Sequence, residues 1–407
     1  MKKKILLIHH GVGYGGGLIA LLGLIKELQE EYEVTVYCIF KSEAVDYIKE
    51  TGANIVSPKN RIFYKYFYVI LVHSSASYNI PIMFIYKLYA SLMYLINKYY
   101  VSKMELKTIM KSVDIVYLNS TFLSDWAYYP SKCLIKTVIH VREPLKNNRH
   151  SLFYYLISRN INKYCNLIIA ITKDNAERVN LINKTTIIYD PIVEQRSSAN
   201  ILNQNKKLYD NKYKYFVYLG GSSRIKGYEQ MVSALKYLDS NIRVFFLGTY
   251  DNNFGSLIQF VKAILNPYKL KKIKLYNKIK ESENSVIIGK THDVFYYYEK
   301  SVATISPFSK PHASLPILES FSVGTPVIVS DVKGMDEFVV DKLNGVFFHN
   351  SDAKDLANKI NEMSKLSEHQ IRQYKLKSKE TYAKITSNRS SINECIEVIL
   401  KEKANQI

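Results

Sequence analysis

Short apolar runs rich in β-branched residues alternate with longer amphipathic stretches along most of this chain. The first cycle predicts a strand over Lys4–His9, a glycine-rich turn over Gly11–Gly17, a helix over Leu18–Glu30 and a strand over Glu33–Phe40. Runs of the first kind favour buried strands, and stretches with helical periodicity favour packed helices. Regular alternation of the two is typical of a parallel α/β sheet.

The same pattern occurs twice. In the first half, further strands are predicted at Asp114–Leu118, Lys136–Val141, Asn166–Thr172 and Thr186–Tyr189. A polar stretch, Glu194–Lys212, then indicates a linker or its margin. The second half has predicted strands at Tyr213–Leu219, Ile242–Leu247, Ser285–Ile288, Val302–Ile305 and Pro326–Val329, and helices at Tyr228–Leu238, Phe254–Lys280, Val294–Lys300, Leu315–Val323 and in the tail from Ala353. We therefore expect an α/β protein with two Rossmann-like domains facing a cleft, residues 1–195 and 196–386.

Ligands of parallel sheets bind outside the carboxyl ends of the strands, and three loops there carry candidate chemistry. Glu319 lies on the first turns of a helix that follows a loop, where a carboxylate can bind hydroxyl groups. The turn Gly220–Gly227 carries Arg224 and Lys226, as a diphosphate site would require. A surface glutamate and an ordinary turn with solvated cations remain the alternatives. For the third loop, the sequence of Gly334–Glu337 predicts a turn before a short helix.

The N-terminal turn GVGYGGG contains the pattern GxGxxG and suits a phosphate or a closely packed hydroxylated ligand. An NAD-dependent oxidoreductase is therefore one alternative. A dinucleotide site favours an acid at the end of the second strand, but here Phe40 is followed by Lys41 and Ser42, with Glu43 only later. This argues against NAD.

Composition indicates a folded soluble protein, since 47% of its 407 residues are hydrophobic and 23% are charged. Four scattered cysteines disfavour a disulfide framework or a zinc site and favour a reducing compartment. The apolar run Ile5–Ile8 is too short for a signal peptide and fits a first strand better, which favours a cytoplasmic location.

The net charge of +20 predicts an anionic partner, such as nucleic acid, an acidic membrane surface or a phosphorylated ligand. Enrichment in Lys, Asn, Ile and Tyr also fits an AT-rich genome. The segment Lys59–Lys111 has eight basic residues and one acid, Glu105, among many aromatic and aliphatic residues. Its apolar runs are too short to span a bilayer, but they suit an anionic membrane interface. Core helices with basic solvent faces are the alternative, and the apolar content is too high for nucleic acid.

The motifs YLGGSSRIKGYEQMVSALK and SPFSKPHASLPILESFSVGTPVIVSD, with Glu337 and Asn344–Gly345, resemble family 4 of the retaining glycosyltransferases, a part of the glycosyl transferases group 1. The resemblance covers Tyr215–Phe348 well. It extends weakly to the N-terminal glycine turn, to His140–Pro144 and to Asp190–Pro191. It implies the glycosyltransferase B fold, with a nucleotide-sugar donor in the second domain, an acceptor on the first, and a final helix, 387–407, that joins the first domain.

By matching position, the resemblance implies that Lys226 holds the donor diphosphate and that Glu319 binds the ribose hydroxyls. The loop Ala313–Leu318 would offer backbone amides to sugar and phosphate, and His140 would lie near the transferred sugar. The predicted site residues are His140, Lys226 and Arg224 for catalysis, Gly220, Gly221, Ser222, Lys226, His312, Ser314, Leu315 and Glu319 for the donor, and Gly15, Gly16, Gly17 and Arg142 on the acceptor side. No Asp-x-Asp pair ends a strand of the donor half, so no metal is expected.

Two positions depart from the family pattern. Pro311, followed by His312, stands where a second glutamate is usual, and Gly221 stands where an arginine is usual. Arg224 is a candidate for the missing cation. These departures favour, as an alternative, a catalytically inactive homologue that acts as a membrane-binding or partner-binding subunit.

The predicted function is that of a retaining, metal-independent glycosyltransferase. It would move a sugar from a nucleotide-sugar, which is a substrate and not a cofactor, to a glycan or lipid-linked acceptor in cell-surface polysaccharide biosynthesis. We expect a cytoplasmic protein, peripheral at the inner face of the plasma membrane.

Overall fold

The computed structural model describes residues 2–13, 15–76, 82–148, 150–181, 184–192, 209–249, 267–312, 315–387 and 389–401. The chain divides into two compact units. Unit 1 comprises Met1–Val193 and Asn388–Ile407, and unit 2 comprises Glu194–Ser387.

Unit 1 contains a seven-stranded sheet in which every pairing is parallel. Its strands are β1 (Lys3–His9), β2 (Tyr32–Cys38), β3 (Asn54–Val56), β4 (Ile115–Leu118), β5 (Lys136–Val141), β6 (Leu167–Ala170) and β7 (Thr185–Ile187). Their order is β3-β2-β1-β4-β5-β6-β7, so Ile5 of β1 lies between Val34 and Ile115. The order reverses direction between β1 and β4, where a Rossmann-type sheet opens a crevice at its carboxyl edge.

Helices cover both faces of this sheet, because its central strands β1, β4 and β5 are buried along most of their length. They are α1 (Gly16–Glu31), α2 (Ala44–Lys49), α3 (Arg61–Tyr66), α4 (Ile82–Ile96), α5 (Ser102–Leu106), α6 (Tyr128–Lys132), α7 (Leu152–Tyr164) and α8 (Lys173–Val179), with a π-helical segment at Asn97–Val101. One apolar cluster packs β1 against α1, and the other surrounds the buried Trp126 and includes Tyr94 of α4.

Unit 2 repeats this plan with a six-stranded parallel sheet. Its strands are β8 (Lys214–Tyr218), β9 (Ile242–Leu247), β10 (Ser285–Gly289), β11 (Ala303–Ser306), β12 (Val327–Ser330) and β13 (Gly345–Phe348), in the order β10-β9-β8-β11-β12-β13. The described helices are α9 (Tyr228–Ala234), α10 (Pro267–Glu281), α11 (Val294–Lys300), α12 (Leu315–Ser322), α13 (Ala353–Ser364) and α14 (Glu368–Ser387). Here the order reverses between β8 and β11.

The last helix, α15 (Ile392–Lys401), packs in unit 1 against α1. Its apolar residues recur at helical spacing, and Ile392, Ile396 and Ile399 are buried in the same cluster as α1. Just before it, Arg389 forms an ion pair with Glu27 of α1, with 2.6 Å between Nη2 and Oε2. Among the described residues, no helix is both long and apolar enough to cross a membrane.

The predicted class, two Rossmann-like α/β domains, is confirmed. The sequence missed β3 and β13, and the helix expected over Tyr228–Leu238 leaves the α-helical form after Ala234. The short helix expected after Gly334–Glu337 was wrong, because turns occupy this stretch. Asp336 Oδ1 accepts a hydrogen bond from Gly334 N at 3.1 Å, and such local bonds compete with helix formation. Most of the predicted linker (194–208) and the first part of the predicted basic helix (254–266) lie outside the described residues.

Candidate functional site

Two loops meet at the carboxyl edge of the unit 2 sheet, at its topological switch point. One is the turn after β8, Gly220–Gly227, and the other follows β11. Gly227 has φ of 73°, and a side chain there would clash with the carbonyl oxygen of Pro307. Ser309 N donates to Ile225 O at 2.9 Å, which holds the two loops together. Glycine at 227 is therefore required by both backbone conformation and space.

Three neighbouring strands of this edge end in glycines with left-handed backbone conformation. They are Gly221 after β8, Gly248 after β9 and Gly289 of β10, with φ of 52°, 70° and 72°. A Cβ at Gly221 would lie 2.9 Å from Gly248 O, so the arginine usual at this position would be strained. Sequence reasoning missed Gly248 and Gly289, although each directly follows or ends an apolar run. The glycines at 221 and 248 let the backbones at these strand ends approach each other closely.

Lys226 and Glu319 are brought together at this edge. Glu319 is only 5% exposed, and Tyr298 Oη donates to its Oε2 at 3.0 Å. Burial raises the pKa of Glu319 to about 7, while the Tyr298 hydrogen bond and the charge of Lys226 act in the opposite direction. Burial also lowers the pKa of Lys226, and the Glu319 carboxylate counters this. The site therefore combines a partly desolvated cation with a carboxyl group that titrates near neutral pH.

Arg224 is directed toward the next helices. Its Nε lies 3.5 Å from Glu229 Oε1, and its guanidinium lies 5.7 Å from the centre of the Tyr268 ring. Lys271 also pairs with Glu229. The side chain of Arg224 is 45% exposed, so it is a surface cation beside the turn.

The other predicted donor residues occupy the same two loops. Ser222 is buried, and Gly220 leaves room for the Tyr218 side chain, which a Cβ at 220 would overlap. His312 stacks on Phe308 with 4.7 Å between ring centres. Leu315 begins α12, whereas Ser314 lies outside the described residues. The donor role of each of these residues stays a prediction.

His140 lies inside the unit 1 sheet. It is 1% exposed, and its Nδ1 is 2.9 Å from Tyr117 Oη. Burial lowers the pKa of His140 well below its usual range, with Arg142 and Arg389 adding to the effect, so the ring is neutral near pH 7. Its role next to the transferred sugar stays a prediction.

Arg142 organises the carboxyl edge of the unit 1 sheet. Its Nη1 and Nη2 donate to Asp190 Oδ1 at 2.6 and 2.8 Å, and its Nε donates to Asn119 Oδ1 at 2.9 Å. Burial raises the pKa of Asp190, and the guanidinium acts against this shift. Through these hydrogen bonds the Arg142 guanidinium joins the loops after β4, β5 and β7.

The glycine turn of unit 1 is open. A Cβ at Gly13, Gly15 or Gly17 would meet nothing within 4 Å. Gly15 caps α1 through its carbonyl, which accepts from Leu18 N at 2.9 Å. Gly16 begins the helix. Packing within unit 1 does not require glycine at these positions, so they leave backbone accessible to a ligand.

Sequence reasoning missed a polar group at the same edge. Glu143 accepts from Ser120 Oγ and Thr121 N, both at 2.9 Å, and His10 Nε2 lies 3.8 Å from Glu143 Oε1. Burial acts to raise the pKa of Glu143, but the neighbouring His10 and the hydrogen bonds from Ser120 and Thr121 hold it below its ordinary value. The available signal was the position of each residue just after an apolar strand. Among the described residues, no group of three or more His, Cys, Asp or Glu side chains is arranged to hold a metal ion.

Comparison with known proteins agrees with this geometry. Residues 200–379 match the family model of the glycosyl transferases group 1. An uncharacterised glycosyltransferase of Methanocaldococcus jannaschii is 22% identical over 297 residues, or 70% of this chain and 74% of the relative. HepE of Anabaena, solved in complex with UDP and glucose, is 15% identical with a TM-score of 0.71 over 98% of this chain and 99% of that chain. Sucrose-phosphate synthase of Thermosynechococcus elongatus is 14% identical with a TM-score of 0.62 over 100% and 99%.

Fold and site thus define a two-domain glycosyltransferase of the B fold class, as the sequence predicted. The match to the glycosyl transferases group 1 covers residues 200–379, which lie within unit 2. The predicted enzyme class is thereby confirmed, and the oxidoreductase alternative is set aside.

Proposed function

We propose that this protein transfers a sugar from a nucleotide-sugar to a glycan or lipid-linked acceptor in cell-surface polysaccharide biosynthesis, with retention and without a metal ion. The carrying observation is the juxtaposition of Lys226 and Glu319 at the carboxyl edge of the unit 2 sheet. Retention is proposed from the family resemblance. On the acceptor side, Gly15–Gly17 and the edge that Arg142 organises are the proposed contacts.

The proposed mechanism is electrostatic. Negative charge grows on the nucleoside diphosphate as it leaves the anomeric carbon, and Lys226 with the amides of the glycine turn would stabilise that charge. The ionised Glu319 would accept hydrogen bonds from the ribose, with Tyr298 fixing the carboxylate orientation. Because a protein cation supplies the charge on the phosphate side, a bridging metal is not required by this scheme.

The first experiment identifies the nucleotide. Thermal-shift measurements with UDP-, GDP-, ADP- and CDP-sugars should give one base class that raises the melting temperature, since ligand binding stabilises the folded state by mass action. HepE was solved with UDP, so UDP-sugars are tested first. Absence of a shift with all four classes would count against a nucleotide-sugar site.

The second experiment tests transfer. The double variant Lys226→Ala with Glu319→Ala should lose sugar transfer, whereas Lys236→Ala with Glu362→Ala, at exposed positions of unit 2, should not. Proton NMR of the product reports whether the anomeric configuration is retained, and EDTA should leave the rate unchanged. Undiminished turnover by the Lys226 and Glu319 variant would contradict the proposed donor site.

An apolar surface on unit 1 supports the membrane part of the proposal. Large apolar side chains on α3 and α4 are exposed, among them Ile62, Tyr66, Phe84, Ile85, Leu88 and Leu92. Tyr89 Oη donates to Phe67 O at 2.6 Å, which joins the two helices. We call this the α3–α4 surface.

Its charge favours an anionic bilayer. Arg61, Lys65 and Lys87 belong to the same two helices, and the sequence contains no Asp or Glu from Thr51 to Met104. Exposed aromatic and aliphatic side chains beside lysines suit the interface of a bilayer that contains anionic lipids. We propose that this surface holds the protein, as a cytoplasmic enzyme, at the inner face of the plasma membrane.

Vesicle flotation tests this surface. Wild-type protein should bind phosphatidylglycerol vesicles more than phosphatidylcholine vesicles, and added salt should weaken the binding. Ile85→Glu with Leu92→Glu should release the protein. Val398→Glu, at an equally exposed apolar position of α15, is the matched control. Equal vesicle binding by both variants would exclude the α3–α4 surface as the membrane contact.

A catalytically inactive homologue that serves as a membrane-binding or partner-binding subunit is the second candidate. It is favoured by Pro311 and His312 in place of the usual glutamate, and by Gly221 in place of the usual arginine. Nucleotide binding without transfer or hydrolysis across a broad acceptor panel would support it. Any single-turnover transfer that depends on Lys226 would reject it.

A further inference from the structure

A cavity of about 360 Å³ lies at the edge of the unit 2 sheet opposite the candidate donor site. Its lining includes Lys214, the first residue of β8, and Val302, just before β11. The donor turn follows the other end of β8, about 15 Å away at the usual rise per residue. The cavity therefore takes no part in the donor chemistry described above.

Three lysines line this cavity: Lys214, Lys300 and Lys375. Within the described part of the chain none of them appears in a salt bridge, and the acid that lines the cavity, Asp210, pairs with Lys212 at 3.2 Å. Burial lowers the pKa of Lys375, and the charges of Lys300 and Lys379 add to this, with Glu299 acting in the opposite sense. The cavity therefore carries a concentrated positive charge, which an anion would neutralise.

Tyrosines form much of the remaining wall. Tyr215 stacks on Phe245 with ring centres 5.0 Å apart and planes 10° from parallel. The ring centre of Tyr209 lies 4.7 Å from that of Tyr215. The guanidinium of Arg243 lies 3.7 Å from the centre of the Tyr213 ring. These contacts hold the rings in place, so little conformational entropy is lost when a ligand binds. Tyrosine presents an apolar face with a polar end, which suits a sugar ring better than a bare ion.

We propose that this cavity binds an anionic saccharide, a sugar that carries a phosphate or carboxylate group. The lysines select the negative charge, and the tyrosine wall selects the ring. A cavity of about 360 Å³ falls at the lower end of the range for small-molecule sites, which limits the bound portion to one or two sugar units. An anionic glycan held here is tethered to the enzyme, which raises its effective concentration for reaction.

Calorimetric titration with glucose 6-phosphate, glucose and inorganic phosphate tests the proposal on the full chain. Glucose 6-phosphate should bind more tightly than either of the others. Lys214→Ala with Lys300→Ala and Lys375→Ala should weaken its binding at least tenfold. The matched control, Lys274→Ala with Lys278→Ala and Lys280→Ala, removes the same charge from exposed positions of α10 and should bind as wild type does.

Two further measurements separate this site from the donor site. Glu319→Ala should weaken nucleotide binding and leave glucose 6-phosphate binding unchanged, so failure of the glycosyltransferase proposal would not remove this one. If the triple variant does not fold, Lys375→Gln alone should still lower the affinity severalfold. Wild-type affinity in the cavity variants, or phosphate binding as tight as glucose 6-phosphate binding, would overturn the proposal.

Discussion

Glu319 carries the titratable charge of the candidate donor site. Burial in α12 moves its pKa to about 7, into the range where cells operate. A carboxylate accepts hydrogen bonds from ribose hydroxyls through both oxygens, whereas a protonated carboxyl group accepts fewer. The affinity for nucleotide is therefore expected to follow the ionisation of this one group.

We predict that nucleotide affinity rises about tenfold from about pH 6 to about pH 8, because the ionised fraction of a group with a pKa near 7 changes about tenfold over that range. Calorimetry with the nucleotide identified by thermal shift measures this. Glu319→Gln keeps the size of the side chain and should remove the extra pH dependence, leaving only that of the nucleotide phosphate. Parallel pH profiles of the two proteins would contradict the prediction.

The same pKa shift predicts a change in stability with pH. The folded pKa of Glu319 lies above its ordinary value of 4.5, so its stabilising contribution is fully present below about pH 4.5 and is lost as the pH rises through about 7. The stability of the wild type relative to Glu319→Gln should therefore fall between these values. Urea unfolding of both proteins at the two ends of the range measures the difference. Burial also raises the pKa of Asp125 to about 7, so Asp125 adds its own dependence of stability on pH. The comparison with Glu319→Gln cancels this contribution, because both proteins contain Asp125.

Tyr298 positions the Glu319 carboxylate and does not face the substrate in the proposed scheme. Tyr298→Phe removes the 3.0 Å hydrogen bond and should weaken nucleotide binding about fivefold at neutral pH, the effect of one lost hydrogen bond. It should also shift the pH profile upward, because this bond lowers the pKa of Glu319. Tyr296→Phe, on the same helix, is the control. An unshifted profile would show that Tyr298 has no positioning role.

The loops after β8 and β11 depend on one glycine for their close approach. Gly227 and Gly289 have almost the same φ, 73° and 72°, but a Cβ at Gly289 would meet only Thr249 O at 3.9 Å. A comparison of the two alanine variants therefore separates steric overlap with Pro307 from backbone strain.

Gly289→Ala should lower the free energy of unfolding by about 1 kcal/mol, the cost of left-handed backbone for alanine. Gly227→Ala should cost about 3 kcal/mol or more and should also weaken nucleotide binding, because the Pro307 backbone has to move. Denaturant unfolding and calorimetry measure both effects. Equal losses in the two variants would mean that the loops accommodate the new methyl group.

Some elements could be predicted closely and others could not. Lys136–Val141, Ile242–Leu247 and Val294–Lys300 have the predicted bounds, because each contains a dense apolar run that ends at a polar residue or a glycine. Strand β3 has three residues, none of them fully buried, so its periodicity is too weak to detect. Strand β13 forms through pairing with β12, a contact that local pattern does not contain.

Helix α1 and residues 389–401, far apart along the chain, meet within unit 1. Arg389 Nη2 lies 2.6 Å from Glu27 Oε2, Arg389 Nε donates to Tyr189 O at 3.0 Å, and Asn393 Nδ2 donates to Glu27 O at 2.8 Å. Both charged side chains are less than one-fifth exposed, so water screens this pair little. Helix α1 is therefore held by Arg389 and Asn393, more than 350 residues further along the chain.

Arg389→Ala should lower the free energy of unfolding by about 3 kcal/mol, because the Glu27 carboxylate is left partly buried and without its cation. Arg372→Ala, which breaks an exposed pair with Glu368, should cost less than about 1 kcal/mol. Thermal or urea unfolding measures both. A double variant that also carries Glu27→Gln should recover part of the loss. Similar costs for the two arginines would show that solvent screens the Glu27 pair.

The sequence by itself determined the two α/β halves and the glycine turns, because periodicity and motif spacing are local properties of the chain. Its resemblance to a known family implied the joint role of Lys226 and Glu319 at a donor site. Only the tertiary structure decided which charges are already engaged: Arg142 is committed to Asp190 and Arg224 is paired with Glu229. It also decided that His140 is buried and that Lys214, Lys300 and Lys375 share one cavity. These outcomes depend on packing between residues far apart along the chain, which sets burial and proximity and so the free energy of each charge.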